Sequence, residues 1–233
     1  MKKVLLTAIA VFAFGFANAQ EGTTTSDYKP TKGTVTTEVG LTGGLNAADF
    51  NLNTGVLKFR YFLKDDLGLR LGFATNSNKT EEIDNSDLTN IETTINKRSD
   101  LTLNLGIEKH FAGSERLSTY AGADLLIGFR GAKTEYTENG YSYNVDGANQ
   151  DLNTGDFSDV AGNYFGLRLL TGADYYIAKK VFLGVEAGLN IVTGKNKDIE
   201  ISETGQPNVN IAGGKASGIT TNVIGGVRIG YQF

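Results

Sequence analysis

The chain of 233 residues has no cysteine and no tryptophan, and only two prolines, one methionine and one histidine. Without cysteine there are no disulfides and no thiolate metal sites, and a lone histidine leaves multi-histidine metal chemistry without ligands. After the first twenty residues no run of about 18 apolar residues occurs, which excludes a membrane protein built from helices. A hydrophobic share of 40% with 21% charge is ordinary and argues against wholesale disorder. Against these shortages stand thirty glycines. Collagen would give them a strict period and a flexible linker would accompany them with proline; neither holds here.

Lys2 and Lys3 precede an apolar run over residues 4–16, followed by Ala17, Asn18 and Ala19. A charged start, a short apolar stretch and a small-x-small site at Ala17 and Ala19 predict a cleavable export signal over residues 1–19. Removal of its two lysines takes the net charge from −4 to −6. Residues 20–33, rich in threonine and charge, read as a flexible periplasmic leader.

From residue 34 onward the pattern has a period of two, the strand period. Between 117 and 130 the odd positions read Leu, Thr, Ala, Ala, Leu, Ile, Phe, and the even positions carry glycine, charge and a few bulky residues. The same alternation recurs near 34–45, 57–63, 67–73, 101–108, 165–175, 181–191 and 219–233, giving eight strands. Their connections alternate between long polar loops, near 46–54, 78–97, 131–161 and 196–217, and very short turns, near 64–66, 112–116 and 178–180. Long loops at one end and short turns at the other predict an all-β fold: an eight-stranded antiparallel up-and-down transmembrane β-barrel over residues 34–233. A soluble barrel would put the apolar face inside and the charged face in water. The glycine on the charged face disfavours that arrangement, because a solvated strand surface gains little from glycine. So do the aromatics at strand ends: Tyr61, Phe111, Tyr175, Tyr231 and Phe233 toward the short turns, and Phe73, Phe129 and Phe165 toward the loops.

In this register the inward face holds the acids Glu38, Glu108, Asp124, Asp174 and Glu186 and the bases Lys58, Arg60, Arg70, Arg130, Arg168 and Arg228, with His110 beside them. An eight-stranded interior is just wide enough for side chains. Near-equal numbers of the two signs predict a paired network that plugs the lumen, with arginine forks holding carboxylates. His110 is expected to bond to a lumenal carboxylate such as Glu108 or Asp174. No Ser-His-Asp constellation is expected at the outer-leaflet level.

The chain resembles the small outer-membrane β-barrel proteins of the OmpX and OmpA transmembrane-domain type. The resemblance covers residues 34–233 and rests on the eight alternating strands and on the last of them, with Val227, Ile229, Tyr231 and Phe233 at alternate positions. It implies that these four residues are read by the barrel-assembly machinery, and that the protein lies in the outer membrane of a Gram-negative-type cell among lipid and lipopolysaccharide. The OmpA branch also carries a periplasmic peptidoglycan-binding domain after the barrel; that activity is not expected of residues 34–233.

The four loops sum to −1, −3, −5 and −1, an acidic exterior that argues against nucleic acid as a partner. Within 131–161, Asn139 and Gly140 separate two alternating stretches, a strong type I′ hairpin signal. Tyr136, Tyr141 and Tyr143 would decorate an exposed sheet there, whose edge offers an extracellular protein a place for strand addition. Residues 149–156 faintly resemble a calcium loop, but the glycine falls one place late and Val160 stands where an EF-hand needs glutamate. No cofactor and no metal are expected. The function expected is non-enzymatic, envelope-structural or surface-interacting. A narrow porin is the first alternative, and a lipid-modifying outer-membrane enzyme the second.

Overall fold

A computed structural model describes residues 26–41, 57–86, 90–111 and 113–233, except the side chains of Leu41 and residues 220–226. The expected export signal with Ala17 and Ala19, the first part of the leader and the 46–54 loop lie outside the described residues.

Thirteen strands follow one another: β1 (Val35–Leu41), β2 (Leu57–Lys64), β3 (Leu67–Asp84), β4 (Glu92–Phe111), β5 (Leu117–Glu138), β6 (Tyr141–Asp146), β7 (Asn149–Gln150), β8 (Phe157–Ser158), β9 (Gly162–Ala178), β10 (Val181–Asn196), β11 (Ile199–Glu203), β12 (Val209–Ile211) and β13 (Lys215–Gln232). Eight of them, β1, β2, β3, β4, β5, β9, β10 and β13, form an antiparallel ring in chain order. β13 returns to β1 through pairs such as Val39 with Ile229. Among the described residues the ladder closes at the short-turn end, between Thr36 and Leu41 on β1, Gly226 and Gln232 on β13, and Leu57 and Tyr61 on β2.

The alternation decides which face is which. On β2, Lys58, Arg60 and Phe62 are buried, while Leu57, Phe59, Tyr61 and Leu63 are exposed. The same holds around the ring: Leu69, Leu71, Leu105, Ile107, Leu125, Leu167, Leu183, Val185 and Ile229 all face outward and exposed. This band far exceeds the few hundred Å² of apolar patch that a protein in water carries.

Three tight connections, β2 to β3, β4 to β5 and β9 to β10, lie at one end of the ring with Val35 and Phe233, whose N–H donates to the Val35 carbonyl at 2.9 Å. The described part of the leader lies across these turns. Tyr28 stacks under Arg116, its hydroxyl accepting from the guanidinium at 2.7 Å, and Asp27 meets Lys179 at 3.0 Å.

At the other end the strands run past the ring. Pairing of β3 with β4 continues to Asp84 and Glu92, so most of 78–97 is strand rather than loop. The alternation is invisible there because both faces are polar, while the backbone ladder continues regardless of side chain. β5 turns into β6 through Asn139 and Gly140, both with positive φ, at +42° and +82°. β11 then pairs with the free side of β6, and β12 with β11. The projecting sheet has its own small core of Val145, Ala148 and Ile199, packed by Tyr143, Phe157, Val160 and Ile201.

Candidate functional site

The interior of the ring is built from the even-numbered positions. Each of the eight ring strands supplies at least one buried charged group: Glu38, Lys58 and Arg60, Arg70, Glu108, Asp124, Asp174, Glu186 and Arg228, in strand order. Arg60 Nη1 lies 3.0 Å from Glu108 and 2.7 Å from Asp174, and its Nε donates to Thr36 at 3.1 Å. Arg70 joins three acids: Asp124 at 2.9 Å, Glu186 at 2.9 Å, and Glu108 by a very short contact. Lys58 bridges Glu38 and Glu186, each at 3.0 Å. Isolated, any of these charges would be strongly disfavoured in so buried a place; interlocked, each has an opposite charge within reach.

Tyr120 sits among them, 1% exposed. Its hydroxyl donates to Glu186 at 2.9 Å and accepts from Arg228, while the Arg60 guanidinium lies 5.7 Å from its ring. Below this layer, toward the turns, Phe62, Tyr176 and Phe182 are fully buried, the Tyr176 and Phe182 rings lying 5.4 Å apart. Arg60 also lies over Phe182, 4.9 Å from the ring centre.

Glycine makes the room. Tyr120 is paired across the strands with Gly172, Tyr164 with Gly128 and Phe182 with Gly230, and each ring occupies the space a Cβ on that glycine would take. The long acids follow the same rule, Glu108 opposite Gly68 and Asp124 opposite Gly106.

Two of the twelve residues assigned to this network stand apart. Arg130, with 41% of its side chain exposed, lies at the loop-end mouth and bonds to Asp100 at 2.7 Å. It is on the expected face, but six residues further along β5 than Asp124, where the ring opens. Arg168 is half-way: it reaches Asp124 at 3.6 Å and donates to Asn190 at 2.9 Å. Sequence reasoning missed the polar partners Thr36, Ser118, Tyr120 and Asp100; their only signal was parity, since all four occupy even positions.

His110 bonds to Glu108, Nε2 to Oε1 at 2.8 Å, and its Nδ1 lies 2.7 Å from Ser118 Oγ. The three groups form the row of a hydrolase triad, near the turns and not at the loop end. Ser118 is 3% exposed, the Phe62 and Tyr120 rings flank the imidazole, and Glu108 is bound by two arginines.

Outside the ring, Tyr136 donates to Glu138 at 2.7 Å, Tyr141 to Glu203 at 3.0 Å and Tyr143 to Gln150 at 2.8 Å. The Tyr136 hydroxyl and the Asn90 amide hold the Glu138 carboxyl below its usual range. The edge these tyrosines were expected to offer is occupied by β11; on that side the described sheet ends at β12, with Val209 and Ile211 exposed. In the 149–156 stretch, Asp151 accepts from the Asn153 N–H at 2.8 Å, closing a turn on itself. Among the described residues no group of three or more His, Asp or Glu side chains is placed to hold a metal ion.

A ring of eight antiparallel strands, apolar outside and charged within, is the architecture of a β-barrel protein. The chain belongs to the putative OmpA-OmpF-like porin family, whose model matches residues 44–190. Among solved structures it is similar to the outer membrane protein OprG from Pseudomonas aeruginosa, at 12% identity and a TM-score of 0.42, over 89% of this chain and 99% of that one. It is also similar to CarO of Acinetobacter baumannii, at 13% identity and a TM-score of 0.35, over 87% of this chain and 97% of that one. No curated protein matches significantly.

Proposed function

We propose that the chain is an integral outer-membrane β-barrel whose lumen is plugged by its charge network, and that its role is structural or surface-interacting. The observation that carries this reading is the pairing of an outward apolar band with an inward layer in which every ring strand contributes a buried charge. The band has the right height. Tyr175 and Phe165 lie ten residues apart on β9, both exposed; that is ~33 Å along a strand, or about 25 Å across a bilayer at the usual tilt of about 40°. The short turns then face the periplasm and the projecting sheet the outside. The outward placement of Val227, Ile229, Tyr231 and Phe233 fits recognition by the assembly machinery. The β12 edge is the place for an extracellular partner. The enclosure of Ser118 supports a non-enzymatic reading.

A narrow porin is the second reading, favoured by the family to which the chain belongs. Planar-bilayer recording of the purified full chain separates the two. The plugged reading expects no large, stable conductance steps; regular steps that persist across preparations would establish passage.

A further inference from the structure

The pairing register places Lys79 directly opposite Lys97, and Lys97 directly opposite Lys133, so that three lysines stand in one row across β3, β4 and β5. All three are odd-numbered and lie on the outer face, continuing the parity of Leu71, Leu105 and Phe129. Directly opposed like charges destabilise a sheet, and nothing in strand geometry calls for them here. A cavity of about 370 Å³ lies against this row. Its floor is made of Ser77, Ser99 and Gly131, the next outward row below, and Lys197 from the segment after β10 joins the three lysines around it. A Cβ on Gly131 would come within 2.8 Å of the Ser99 hydroxyl.

The carboxylates are placed to one side. Glu135 lies one row further out, between Lys97 at 2.7 Å and Lys133 at 2.8 Å, and Glu81 holds Lys79 at 2.6 Å. Asp146, opposite Lys133, is the one acid lining the cavity. Each ammonium has three N–H donors, so the lysines keep donors for a further acceptor below the acid row.

Height identifies the occupant. On β5, Gly131 and Lys133 lie two and four residues beyond the exposed Phe129. With ~3.3 Å per residue and a tilt of about 40°, the floor lies about 5 Å and the lysines about 10 Å above that aromatic level. The headgroup layer of a bilayer, about 5–8 Å thick on each side, covers the floor and ends just below the lysine row, within reach of the lysine side chains.

We propose that this cavity, at the lower rim of the projecting sheet, binds the phosphate of an outer-leaflet glycolipid, its acyl chains lying along the apolar band beside Phe129. The proposal rests on the outer-membrane reading above. It makes the lysine row a fixed lipid contact on one side of the barrel.

Native mass spectrometry of the full chain tests it, after transfer from detergent into micelles containing lipid A, lipid A with its phosphates removed, or no added lipid, with insertion into vesicles followed separately. The unaltered chain is expected to retain one lipid A and to release the dephosphorylated form. K79Q/K97Q/K133Q should weaken retention about a hundredfold, as three lysines near an anionic surface would give. K179Q/K180Q, a similar neutralisation at the opposite rim, should leave it unchanged. Insertion of the triple variant shows that it has folded. Equal retention of the two lipids, or undiminished retention by the triple variant, overturns the proposal. Displacement of the lipid by equimolar inorganic phosphate overturns the lipid assignment in favour of a simple anion site. Failure of the unaltered chain to insert overturns the outer-membrane reading, and this inference falls with it. Insertion without phosphate-dependent retention overturns this inference alone.

Discussion

Glu38 Oε2 on the first strand and Arg228 Nη1 on the last lie 2.6 Å apart across the seam where the ring closes. Both side chains are almost fully buried. The pair adds an interior charge bond to the backbone ladder between the chain's two outermost ring strands. Removing one partner upsets the balance of a buried network, a cost of up to about 3–5 kcal/mol, lessened because Arg228 keeps Asp174 at 3.3 Å and Glu38 keeps Lys58 at 3.0 Å. E38Q and R228M should each lower the stability of the folded barrel by that order, read as an earlier midpoint in denaturant unfolding from vesicles. The two changes together should cost less than their sum, because the second removes a charge the first has stranded. Strict additivity in that double-mutant cycle would show that the seam does not depend on this pair.

Tyr120 and Gly172 make a second test. A Cβ on Gly172 would run into the Tyr120 ring and come within 2.7 Å of the Val185 carbonyl. G172V should therefore destabilise by at least the ~1–3 kcal/mol typical of overpacking, and Y120A should recover only the part due to the ring, the contact with the Val185 carbonyl remaining. Y120A alone removes the ring that links Arg228 to Glu186. It should raise conductance in planar bilayers above that of the unaltered chain; an unchanged recording would place the barrier elsewhere.

The projecting sheet should loosen in acid. The Lys133 and Lys97 ammonium groups lower the pKa of Glu135, the Tyr136 hydroxyl and the Asn90 amide lower that of Glu138, and the Ser86 N–H lowers that of Asp84. A carboxylate whose folded pKa lies below its unfolded value contributes stability that is complete above the unfolded value, about 4, and is lost as pH falls through the folded one. Hydrogen-exchange protection of β5 beyond Lys133 and of β6 should be flat between pH 6 and 8 and should fall below about pH 4. A loss of protection centred near neutral pH would contradict this assignment.

Deleting residues 199–211 would uncover the side of β6 that β11 now occupies. The exposed edge carries Tyr141 and Tyr143 and should self-associate, as unprotected edges do. The expected result is a folded barrel that has become dimeric or larger by light scattering in detergent; a monomer would show that β11 is not needed as a cover.

Most of the ring was legible because its two faces differ in chemistry at every second residue. Lys58, Arg60 and Phe62 alternate with Leu57, Phe59 and Tyr61, and only one register of such a strand puts the charges together. The projecting sheet was not legible, because above the apolar band both faces are polar and the period-two signal disappears, as between Ser77 and Glu81. The pairing of β11 with β6 was hidden for another reason: it joins segments some sixty residues apart, Glu203 with Tyr143 for example, and neither segment names its partner. Arg130 was assigned by parity alone, which gives the face but not the depth. The Ser118–His110–Glu108 row depends on a contact between neighbouring strands β4 and β5, which alternation leaves undetermined.

That all eight ring strands share the buried charges has a consequence for how the molecule comes into being. The run β4, β5, β9 and β10 on its own would carry Glu108, Asp124, Asp174 and Glu186, with no buried lysine or arginine, into a layer that offers no water. Such a run has nowhere comfortable to rest inside the layer until β2, β3 and β13 bring Lys58, Arg60, Arg70 and Arg228 to it. Closure is then cooperative by electrostatics as well as by hydrogen bonding, and a chain missing any one strand should remain outside the lipid, waiting, rather than insert incomplete.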